Sequence, residues 1–191
     1  MKEWCALYEA HGAMRAIAPT DLLNSLRSRL VRLAERGHCE GTIRGRFSYS
    51  NRGPLRELHV HGPDGSVPLL HLEALEAARL TVLALVSRRT DHVHQFTAMI
   101  EGTASGERSW VAAVHLVEDH VTGERDRQGS GACGHAAFHC HVGPTFDHEP
   151  KVRVPLPVIG PAGALDWLLS IVVPDWEPAP WPAVVAARQS T

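Results

Sequence analysis

Leu72-Glu73-Ala74-Leu75-Glu76-Ala77-Ala78-Arg79-Leu80-Thr81-Val82-Leu83-Ala84-Leu85-Val86 is the stretch on which the fold turns. Leu72, Leu75, Ala78, Leu80, Leu83 and Val86 recur in an alanine- and leucine-rich window. Wound as a helix, the segment carries apolar residues around most of its circumference, which predicts a largely buried helix of about four to five turns. On its N-terminal side, Thr42–Tyr49, Leu55–His61 and Val67–Leu70 read as strands. They are separated by the turn formers Ser50-Asn51-Arg52-Gly53-Pro54 and Gly62-Pro63-Asp64-Gly65. On its C-terminal side, Val93–Glu101, Trp110–Val117, Ala136–Val142 and Lys151–Leu156 read as strands. The polar, glycine-rich segment Thr122–Gly131 is expected to be a surface loop.

Further out lie two amphipathic segments. Pro19-Thr20-Asp21 offers a helix start, with Thr20 or Asp21 as the N-cap. Leu23, Leu26, Leu30 and Leu33 follow at helical spacing, and Gly37 is placed to end the element. Pro161 suits the first turn of another helix, whose apolar face is Leu165, Leu168, Leu169 and Val172 and which Pro174 stops. Residues 1–18 are weakly helical. The alternation of helices and strands predicts an α+β fold, a mainly antiparallel sheet of about six strands with two or three helices packed on one face. A chain of 191 residues suits a single domain. Within it, residues 175–191 form a Trp/Pro-rich C-terminal tail. Prolines hold that tail extended, and Trp176 and Trp181 must pack either on the domain or on a partner.

Bulk properties exclude several classes. The longest apolar run, Leu80–Val86, is too short to cross a bilayer. The N-terminus lacks the apolar core of a secretory signal, so the expected location is cytoplasmic. A net charge of −2 gives no drive toward nucleic acid or anionic lipid. Charge is nonetheless uneven, +3 over residues 1–95 and −5 over residues 96–191, a polarity that suits self-association or a charged protein partner. The four cysteines show no C-x-x-C spacing and are expected to be free thiols. Gly129–Gly134 matches G-x-G-x-x-G, but a charged loop precedes it and a strand follows, the wrong context for a dinucleotide site.

Three His-x-His triplets carry the chemistry: His59-Val60-His61, His92-Val93-His94 and His139-Cys140-His141. On a strand, a period of two sends both imidazoles of a triplet to one face. If Cys133–Val142 is one extended strand, Cys133, His135, Ala137, His139 and His141 share a face. The opposite face, with Phe138 and Cys140, suits the core. His139 and His141 plus one histidine from a neighbouring segment, His94, His115 or His148, would make a three-nitrogen set of the kind that binds zinc. His135 and Cys133 are further candidate ligands.

Two functions from different classes follow. The first is a non-catalytic cytoplasmic partner-binding protein, an accessory subunit or an immunity-type protein. Arg29, Arg32 and Arg36 on one helix face, with Trp176 and Trp181 in the tail, are its candidate contacts with another protein or a second copy. The second is a zinc-binding protein, with a metal-dependent hydrolase as its catalytic form. No complete catalytic motif is present, so the balance leans away from an enzyme.

Overall fold

A computed structural model of the chain describes residues 18–41, 47–60, 65–117, 138–144, 153–155 and 160–177. Two helices occur among them, α1 (Pro19–Glu35) and α2 (Pro161–Val172). The strands are β1 (Phe47–Arg52), β2 (Leu55–Val60), β3 (Val67–Pro68), β4 (Glu76–Ser87), β5 (Val93–Ala104), β6 (Arg108–Val117), β7 (Phe138–Gly143) and β8 (Arg153–Pro155). They form one sheet in the order β1-β2-β4-β5-β6-β7-β8, with β3 paired to β4 beside this path. Every pairing is antiparallel. The architecture is α+β.

The stretch from Leu72 to Val86 is not a helix. From Glu76 onward it is β4, a long strand that pairs with β2, β3 and β5. Ala78, Leu80, Val82, Ala84 and Val86 alternate into the core, while Leu85 is buried on the other face. Leu83 and Leu85 on the outer face leave this part of the strand without a polar stripe to reveal its period, and the same leucines then satisfy the helical spacing as well. Its neighbours in the sheet decide the matter, and the strand count rises accordingly.

Both helices close over one face of the sheet. Leu22, Leu26, Leu30 and Leu33 of α1 are fully buried, with Leu22 taking the place expected of Leu23. Removing each such side chain from water contributes roughly 1.5–3 kcal/mol. On α2 the buried residues include Ala164, Leu165, Leu168, Leu169 and Val172, and they join Phe96, Ala98, Ile100, Ala112 and Val114 in one core cluster. Helix α1 begins at Pro19 with Ala18 at the cap position, so neither Thr20 nor Asp21 caps it. It ends as its glycine predicts. Gly37 adopts φ +78°, its N–H donates to Ala34 O, and His38 N–H donates to Leu33 O. That pair of bonds satisfies carbonyls the last turn leaves open. Among the described residues no helix is long and apolar enough to cross a membrane. The lead-in segment 1–17 and the loop Thr122–Gly131 lie outside the described residues.

One irregularity has a measurable consequence. Between Glu76 and Arg79 the register shifts, so Ala77 and Ala78 together oppose Gly102 of β5. Ala77 takes φ +48° to make this bulge. A Cβ at position 102 would stand 3.1 Å from Ala78 Cα and from Glu76 O, both backbone atoms that yield little. Gly102→Val is therefore expected to destabilise the fold by about 1–3 kcal/mol in urea unfolding.

Tyr49 on β1 ties the sheet edge to the start of α1 by donating its hydroxyl to Pro19 O. Burial, opposed in part by Arg56 and Arg27, pushes its pKa up from 10.0 to about 12. The folded state thus keeps the neutral phenol where the unfolded chain ionises. Tyr49 should not affect the pH dependence of stability below pH 10, and stability should fall as pH rises from there toward 12. A phenolate absorbance titration should show a late transition that Tyr49→Phe removes.

Candidate functional site

The antiparallel register lines up one residue from each of five strands on the face away from the helices. His59 of β2 pairs with Leu83, Leu83 with Thr97, Thr97 with His115, and His115 with His139. His141 lies in the adjacent row, opposite Ala113, which in turn faces Met99. The intervening Cys140 points into the core and is 1% exposed, which fixes both neighbouring histidines on the other side.

His115, His139 and His141 are therefore brought together. His139 Nε2 and His141 Nε2 are 2.9 Å apart. The His115 ring stacks beside His139 with centroids 5.5 Å apart and meets His141 edge-on at 5.1 Å. His115 and His139 are buried, and His141 is half-buried. Thr97 Oγ1 sits 3.2 Å from His115 Nδ1. A partner of this sort holds one ring nitrogen and fixes the orientation of the other, as the outer shell of a metal site does.

The short nitrogen–nitrogen contact limits the protonation of the pair. Two neutral rings can share one proton across it, with one Nε2 donating and the other accepting, whereas two imidazolium groups would set like charges edge to edge. A metal ion can take the place of the shared proton. Two nitrogens bound at about 2.0–2.1 Å stand about 2.9 Å apart when they subtend a right angle and about 3.3 Å apart at the tetrahedral angle. The observed spacing equals the first and needs a small opening for the second. Among the described residues no group of three or more His, Cys, Asp or Glu side chains is arranged about one ion position. Among the described residues the His115 ring stands beside the pair, and a turn of that ring would bring a third nitrogen toward it.

Next to the cluster lies a cleft of about 610 Å³ on the same face, lined by Ala77, Arg79, Thr97, Met99, Glu101, Gly102, Thr103, Ser109, Trp110, Val111 and Pro144. Its size falls in the range of small-ligand sites. Thr97 belongs to both features: it lines the cleft and holds His115. At the other end, Arg79 and Glu101 form an ion pair across β4 and β5 at 3.2 Å.

The remaining candidates are placed as follows. His94 is not with the trio; its ring contacts His92 at 4.8 Å. Cys133, His135, His148 and Trp181 lie outside the described residues. Of the three arginines, Arg29 is buried, Arg32 half-buried and Arg36 exposed. Arg29 grips Asp166 of α2, Nη2 to Oδ2 at 2.7 Å with Nε 3.2 Å from both carboxylate oxygens. Trp176 is also buried and donates Nε1–H to Asp166 Oδ1 at 3.1 Å. Arg32 lies over the Trp176 ring at 4.6 Å and donates to Glu177 O; Arg36 donates to Asp175 O. Cation–π contact and backbone capture thus hold the start of the tail on α1. Arg29 and Trp176 are 9% and 5% exposed, so most of each side chain is engaged within the domain.

Two features were missed in the sequence, Asp166 and the cleft. Asp166 had a signal, a lone carboxylate beside Leu165, Leu168 and Leu169 that needs a buried cation, and Arg29 sits in the leucine stripe of α1. The cleft had none, because it depends on a bulge and on long-range register. Comparison with protein-family models, with curated proteins and with solved structures returned no match.

Proposed function

We propose that this chain is a transition-metal-binding protein in which His139 and His141 are the primary ligands, His115 is the third, and zinc is the expected ion. The observation that carries this is the 2.9 Å separation of two Nε2 atoms from adjacent same-face positions of one strand. Support comes from His115 in the paired register position, with its Nδ1 beside Thr97. A bound zinc would supply Lewis acidity. The adjoining cleft offers a substrate a place beside it, which is what a hydrolytic form of this function requires. The chain's own residues orient the rings: Cys140, anchored in the core, sets the strand face, and Thr97 holds His115.

The test is metal content. Protein purified without a histidine tag, loaded with zinc and dialysed, should retain close to one equivalent. His139→Ala/His141→Ala should retain none, and His115→Ala should bind at least about 10-fold more weakly, since losing a ligand costs no less than losing the outer-shell group that orients one. Zinc-free wild type after loading, or equal retention by the double variant, would refute the proposal.

A further inference from the structure

The second His-x-His pair on the sheet, His92 and His94, repeats the ring spacing and tilt of the first. Its ring centroids are 4.8 Å apart with planes at 69°, against 4.8 Å and 70° for His139 and His141. The backbone explains the match. Val93 between them is fully buried, which sends both neighbours to the face away from the helices. The β4 partners pass from Gln95 to Val93 between Leu85 and Val86, so His94 is the extra residue of a bulge. His92 is fixed on the other side, where Ser87 N–H donates to its carbonyl at 2.8 Å. Two imidazoles already held side by side on one face lose little freedom on binding, the usual source of chelate strength. Both rings are half-buried, so one side of the pair faces solvent.

We infer that His92 and His94 form a second, solvent-facing chelate for a divalent d-block ion, one that leaves its other coordination positions to water or an external ligand. With these two imidazole nitrogens as its protein donors, the proposed chelate follows the intrinsic order of these ions, so Cu²⁺ should bind more tightly than Ni²⁺ or Zn²⁺. The inference does not depend on the His139–His141 centre, because the two pairs share no ligand.

Copper titration of the tag-free full chain, followed by calorimetry and by electron paramagnetic resonance, tests it. Wild type should take up a weaker equivalent, distinct from the His139–His141 site, with a two-nitrogen signature and at least about 10-fold preference for Cu²⁺ over Zn²⁺. His92→Gln/His94→Gln should lose that equivalent and keep the other. His139→Gln/His141→Gln should keep it. Circular dichroism establishes that each variant is folded, and single substitutions at His92 or His94 replace any double variant that is not. A weaker equivalent that survives His92→Gln/His94→Gln, or is absent from wild type, overturns the inference whatever happens at His139 and His141.

Discussion

Asp166→Leu should lower the stability of the fold by about 3–5 kcal/mol, the cost of leaving a buried charge without its counter-ion. The Arg29 and Asp166 side chains are 11% and 2% exposed, and water therefore screens their pairing little. Three arginine–carboxylate hydrogen bonds and the Trp176 indole bond would be lost together. A domain of this kind has only about 5–15 kcal/mol to lose, so the variant should unfold at markedly lower urea concentration. The diagnostic comparison is Arg29→Met/Asp166→Leu. With both charges gone and similar volume retained, it should recover most of the loss, since a buried ion pair repays little more than its own desolvation. A single variant within 1 kcal/mol of wild type, an order-of-magnitude threshold for surface pairs, would mean that the guanidinium escapes to solvent when its partner is removed.

The second large effect is on thermal stability in the presence of metal. Zinc at about 100 times its dissociation constant should stabilise wild type by about 2.7 kcal/mol, because only the folded chain aligns His115, His139 and His141. For a chain of this size that corresponds to a rise in Tm of about 5–10 °C. A chelator should reverse the rise. His139→Ala/His141→Ala should show none; its apo form should melt below apo wild type because His139 is buried, so the comparison is of the zinc-induced rise in each protein. A double variant that gains as much from zinc as wild type would place the ion elsewhere.

The parts of the molecule that follow from local rules could be read directly. Pro19, the leucine spacing and Gly37 delimit α1, and Pro161 and Pro174 delimit α2. Strands β5, β6 and β7 fall where their β-branched and aromatic residues put them. His139 and His141 share a face because they are two residues apart on an extended chain, which needs no knowledge of the rest. Other assignments needed the whole fold. Leu72–Val86 satisfies both periods, and only pairing with β2 and β5 makes it a strand. Which histidine joins His139 and His141 is a matter of register between β6 and β7. A two-residue slip there would carry His115 away from His139 while leaving every local preference intact.

The sequence by itself determined where α1 and α2 start and stop, that the fold is built on antiparallel strands, and that two imidazoles flank a core-facing cysteine. The tertiary structure alone decided that β4 is a central strand, that His115 rather than His94 stands beside His139 and His141, and that Arg29 serves Asp166 within the core. The physical reason is range. Capping, turns and side-chain alternation act within a few residues, whereas the face a two-sided apolar strand presents, and the partner a buried charge finds, are set by segments as distant in the chain as Arg29 and Asp166.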